Sequence, residues 1–167
     1  MDQTYDDLLV WAYLGEVWGE RMLERLLQDG TFADEREHLQ LLLALESRTR
    51  QTLEAVISSR ALDVSLEDAR QEADAYAKGL AQTQDWEAFM RETLEIAMTA
   101  LPDFEKLRDL DAGPAVEALI ETVEHEKAVL AYARSRLARR PREAAEAVSV
   151  HLAKWAPHSA AAPGAAG

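Results

Sequence analysis

Three glutamates, Glu16, Glu46 and Glu126, interrupt helical runs of leucine, alanine and valine and project from the faces those runs would bury. Carboxylates inside a protein have few uses. They bind a metal ion, exchange a proton, or pair with a base, because an isolated buried charge is strongly unfavourable. Two bases lie close in sequence: Arg50 follows Glu46 by one helical turn on the same face, and Lys127 adjoins Glu126. Glu16, Glu46, Arg50, Glu126 and Lys127 therefore form a candidate buried polar centre, and Glu16, Glu46 and Glu126 alone form its candidate metal-ligand set. The turn that carries Glu16, "LGEVWGE" (residues 14–20), also holds Gly15 and Gly19. A glycine in a helix interior costs about 1 kcal/mol relative to alanine. Two in one turn predict close approach of a neighbouring helix.

Other chemistries find little support. The chain has no cysteine, which excludes disulfides, thiolate metal sites and cysteine nucleophiles. The histidines His38, His125, His151 and His158 show no i, i+3 or i, i+4 pairing, so they are expected at the surface or at helix ends. "HEKAV" (125–129) begins like the zinc-protease helix motif but lacks its second histidine, and His125 falls opposite the apolar stripe of its helix. There is no glycine-rich phosphate loop.

The elements that would position the glutamates are helices. Alanine, leucine, glutamate and arginine dominate, and no segment alternates as a strand does. The first long helix should open at Thr4, capped through "TYDD", and stop at Gly30. A second should follow at once, with "TFAD" (31–34) as its cap, and run to about Ser59. A shorter polar helix is expected over 63–81, capped by Ser65 and Asp68. The third long helix should begin after Asp85 and kink or break at Pro102. The fourth should start with Pro114 at its first position and end near Arg140. A short amphipathic helix follows Pro141, and the Ala/Gly/Pro segment 157–167 reads as a disordered tail after a single domain over 1–156. Short connections within each pair of long helices and a long one between the pairs predict an all-α four-helix bundle with one crossover.

Glu16, Glu46 and Glu126 fall near the middles of their helices, so antiparallel packing would bring them to one level at the waist. The third helix offers Thr93 and Ala97 there, while Glu92 and Glu95 point away. In this the chain resembles the ferritin-like superfamily. In the metal-binding members of that superfamily, glutamates from helices 1 and 3 and Glu-x-x-His pairs from helices 2 and 4 hold two iron or manganese ions. The resemblance implies that Glu16 and Glu46 correspond to the ligands of helices 1 and 2, with Glu126 a candidate on helix 4. It also marks departures: Thr49 and Val129 stand where the histidines would be.

Arg50 and Lys127 could neutralise the glutamates without a metal. The expectation is therefore a metal-free centre serving ligand or partner binding. The alternative is a carboxylate-bridged di-iron or di-manganese oxidase or oxygenase, with water or Thr49 completing the ligand set. A second apolar strip on the first helix, Trp11, Gly15, Trp18 and Met22, needs its own cover. The C-terminal helix would supply it through Val148, Leu152 and Trp155, and the alternative is a homodimer interface through Trp11, Trp18 and Met22.

Bulk charge narrows the partners. A net charge of −13 repels phosphate backbones, which argues against nucleic acid. The basic run 134–142 reads as cations at a helix C-terminus. The chain has no apolar run of membrane-spanning length and its acidic start is no signal peptide, so a cytoplasmic protein is expected.

Overall fold

The computed structural model describes residues 4–111 and 113–156, and within them every regular element is helical. The helices are α1 (Tyr5–Asp29), α2 (Arg36–Ser59), α3 (Glu67–Thr83), α4 (Trp86–Leu110), α5 (Val116–Leu137) and α6 (Pro141–Lys154), with a 3-10 turn at Ala33–Glu35. The expected tail, 157–167, lies outside the described residues.

Local chemistry sets the ends of α1. Thr4 accepts a hydrogen bond from the Asp7 amide while the Asp7 carboxylate accepts one from the Thr4 amide, and Gly30 closes the helix in the left-handed region. The start of α2 departs from expectation. Thr31 and Asp34 form no cap; Phe32 adopts a left-handed φ of 56°, and α2 opens only at Arg36. The cause is tertiary: the Phe32 ring is buried, stacked on Phe89 and edge-on to Trp86. The α3 start shifts in the same way. Ser65 and Asp68 make no cap, Leu66 precedes the helix, and Leu62, Val64 and Leu66 pack on the core instead.

Pro102 does not break α4, which runs unbroken to Leu110. Pro102 and Met98, the residue whose carbonyl loses its donor, are both exposed, so water can serve that carbonyl. Pro114 lies in the turn before α5 rather than at its first position, whereas Pro141 does occupy the first turn of α6.

Helix α1 packs along α2 and α3, and α4 packs along α5. Lighter contacts from α1 to α4 and from α2 to α5 join the two pairs, and α6 closes over α5 and α2. The second strip of α1 is covered by the crossover helix α3, through a Trp18–Tyr76 ring contact, and Trp11 packs on Phe104 of α4. The expectation that the C-terminal helix covers this strip is therefore corrected. Val148 of α6 is buried on the other side of the molecule.

The buried apolar side chains fall into two clusters. One contains Leu23, Leu26, Leu45, Phe89 and Tyr132; the other contains Leu8, Leu9, Leu53, Phe104 and Leu119. Between them, at mid-height, lies a polar layer. No helix among the described residues is long and apolar enough to cross a membrane.

Candidate metal centre

The polar layer is built from α1, α2 and α5. Glu16 and Glu126 are buried, and Glu46 is largely so. His125, fully buried, stands among them: its Nε2 lies 3.5 Å from Glu16 Oε2, 3.7 Å from Glu46 Oε1 and 4.0 Å from Glu126 Oε1. Ligand atoms of Glu16, His125 and Glu126 all lie within 4.8 Å of one another. Glu16 Oε2 has no hydrogen-bond partner.

His125 corrects the sequence expectation most sharply. Val116 and Ile120, which by spacing fall on an apolar stripe of α5 with Leu119 and Val123, are both substantially exposed. Because α6, α4 and α2 all pack on α5, its buried arc spans well over half its circumference and includes Glu121, Thr122, His125, Glu126 and Val129. A signal for this was present. Glu117, Glu124, Lys127 and Arg134 recur on one side of the wheel and mark the solvent face, from which His125 points away. His151 of α6 is buried too, its ring 6.2 Å from that of His125.

The two bases expected at this centre are elsewhere. Lys127 is exposed and pairs with Glu105 at 3.2 Å. Arg50 turns toward Glu20 and Glu54, at 2.5 and 2.9 Å. Among the described residues no salt bridge joins either base to Glu16, Glu46 or Glu126. Thr49 is not placed as a ligand either. Its hydroxyl lies 2.8 Å from His125 Nδ1 and 3.3 Å from the Leu45 carbonyl. A hydroxyl has a single proton to give. When Thr49 donates it to Leu45, it accepts from His125 Nδ1–H, and the Nε2 lone pair then faces the carboxylates.

Gly19 and Gly15 have different explanations. A Cβ on Gly19 would come within 2.5 Å of Glu46 Oε2, so this glycine makes room for the carboxylate rather than for a helix backbone. A Cβ on Gly15 would meet nothing.

Without a cation the cluster suppresses charge. Burial, reinforced by Glu46 and Glu126, holds the Glu16 carboxyl well above the usual range. Burial raises Glu46 to about 7 and, together with Glu46, raises Glu126 to about 8. Burial first, and His151 second, lower His125 to about 3. The metal-free centre at neutral pH is thus a set of partly protonated carboxyls around a neutral imidazole. Imidazole and carboxylates at this spacing suit a first-row divalent ion, whose ligand bonds of about 2.0–2.2 Å bring donor atoms to similar mutual distances. The unpartnered Glu16 oxygen fits the same occupant.

The centre forms the floor of a cavity of about 540 Å³ walled by α1, α3 and α4. Trp11, Trp18, Met22, Phe89 and Phe104 line it, and the exposed Ile96, Asp68 and Glu72 stand toward solvent. From α4, Thr93 and Ala97 face this space; Thr93 gives its proton to the Phe89 carbonyl, and Ala97 has nothing to ligate with. Helices α3 and α4 line the cavity without supplying a carboxylate or imidazole to the centre.

Comparison of the chain with protein-family models, with curated proteins and with solved structures returns no match.

Proposed function

We propose that this protein is a metal-dependent helical bundle that binds iron or manganese through Glu16, Glu46, His125 and Glu126 and admits a small substrate through the adjoining cavity. The observation that carries this reading is the His125 nitrogen within 3.5–4.0 Å of three largely buried carboxylates that no lysine or arginine among the described residues neutralises. A cation replaces the protons that the metal-free centre must retain, and buried charges of one sign need such a partner. An open ion of this kind supplies oxidation or oxygen-activation chemistry to a substrate held beside it.

The chain's own residues have separable tasks. Thr49 orients His125 through Nδ1, as the outer partners of metal-bound histidines commonly do. Gly19 leaves space for the Glu46 carboxylate. The aromatic walls present apolar surface beside the floor and select apolar groups.

Helix order and the mid-height carboxylates support a ferritin-like reading of the fold, with α3 as the crossover. Three departures go with it: Thr49 stands where α2 would carry a histidine, the α5 histidine precedes Glu126 rather than following it by three, and α4 contributes Thr93 instead of a carboxylate. The ligand count is thereby reduced on the side where the cavity lies.

Metal content by plasma mass spectrometry, on untagged protein grown with added iron and manganese, tests this. Near-stoichiometric iron or manganese is expected in the wild type, with loss in Glu16→Ala and His125→Ala while far-ultraviolet circular dichroism stays helical. Folded wild-type protein that takes up neither ion, even when Fe(II) or Mn(II) is added anaerobically, would overturn the proposal and favour a metal-free ligand-binding bundle.

A further inference from the structure

We propose that the cavity binds a lipophilic amine, with its ammonium group at the Asp68–Glu72 rim and its apolar body against Trp11, Trp18 and Phe104, directed down toward Glu16. This deepens the metal-site reading by naming the substrate class. It rests on that reading only for what the inner end of the molecule meets.

Charge decides the class. Five carboxylates line the cavity, those of Glu16, Glu46, Asp68, Glu72 and Glu126, and no lysine or arginine does. An anionic head would meet like charge at the rim, where Asp68 and Glu72 stand exposed. A cationic head finds Asp68 and Glu72 one turn apart on the same face of α3, both exposed and neither held by a salt bridge among the described residues. The indole and phenol rings of Trp11, Trp18 and Tyr76 add faces that attract a cation.

Shape and polarity supply the rest. Most of the wall is apolar, and 540 Å³ lies within the range of pockets that enclose a small molecule, roughly 300–1,000 Å³. The floor ends at Glu16 Oε2, buried and without a protein hydrogen-bond partner, so the inner end of the cavity is polar. Gly15 lies open on the wall, where any side chain would project into the space the ligand needs.

Three probes with the same chain and different heads test the proposal: decylamine, decanol and decanoate. Each is titrated by calorimetry into metal-loaded and chelator-stripped protein, with tryptophan fluorescence as a second readout. In the stripped protein decylamine is expected to bind at least about tenfold more tightly than decanol, and decanoate not to bind. The double variant Asp68→Asn/Glu72→Gln should bring the amine down to the affinity of the alcohol. Gly15→Leu should abolish binding of both, with the helical circular dichroism signal intact. Equal binding of decylamine and decanoate by the stripped protein, or undiminished binding by Gly15→Leu, would overturn the proposal. The stripped protein separates the two readings. Amine preference that persists in a chain unable to take up metal sinks the metal reading alone, and full metal loading without amine preference sinks this one alone.

Discussion

At the residue scale, the centre is governed by what burial does to four ionisable groups. Glu46 and Glu126 are held to about 7 and about 8, above the ordinary value of 4.5, so their protonated forms are favoured in the folded chain. The stability this contributes is fully present below the unfolded value and is lost as pH rises through the folded ones. His125, lowered to about 3, works in the opposite sense: its contribution is present above its ordinary value of 6.5 and is lost as pH falls toward 3. Metal-free protein should therefore be most stable in mildly acid solution and weaken between about pH 5 and pH 8. Glu46→Gln removes one of the groups responsible. Metal-free Glu46→Gln should gain on the wild type at pH 8, and the gain should shrink by on the order of 2 kcal/mol at pH 5. Urea denaturation in the presence of a chelator measures this. A loss of stability at pH 8 would mean that Glu46 neutralises a buried base, which the positions of Arg50 and Lys127 contradict.

At the element scale, α1 carries two glycines with opposite roles. Gly15 faces open space, so Gly15→Ala should stabilise the protein by about 0.5–1 kcal/mol through helix propensity and reduced unfolded-state freedom. Gly19→Ala gains the same propensity but drives its methyl into the Glu46 carboxylate. It should displace Glu46 and reduce Mn(II) affinity by on the order of tenfold, the lower end of what disturbed metal-site geometry costs. Thermal melts and metal titration of the two variants side by side decide it. Equal metal affinity in both would show that Glu46 does not contribute to the centre. Helix α5 teaches a related lesson: enclosed by α4, α2 and α6, it loses the single apolar stripe by which a surface helix is recognised.

At the scale of the whole molecule, the polar layer divides the apolar core into two clusters and joins three helices, one pair of which is contributed by the first half of the chain and the third by the second half. A bound ion would tie α1 and α2 to α5 across a junction where α1 touches α4 and α2 touches α5 only lightly. Mn(II) at about a hundred times its dissociation constant should stabilise the fold by about 2.7 kcal/mol. Calorimetry should register this as a higher melting temperature, reversed by chelator and absent in Glu16→Ala. An unchanged melting temperature with demonstrated metal uptake would place the ion outside the core.

What the sequence determines by itself is what depends on neighbours along the chain. The all-helical class follows from composition, the two ends of α1 from Thr4, Asp7 and Gly30, and the start of α6 from Pro141, because caps and propensities act within a few residues. The mid-helix positions of Glu16, Glu46 and Glu126 are likewise plain in the sequence. Tertiary structure alone decides the rest. Phe32 overrides the Thr31 cap because its ring has partners in α4, and α3 covers Trp18 because the crossover returns along α1. The burial of His125 depends on α6 folding over α5, and the escape of Lys127 and Arg50 depends on Glu105, Glu20 and Glu54 being within reach. A helical wheel gives directions around one axis. Which of those directions meets protein, and which meets water, is settled only when the other helices have packed.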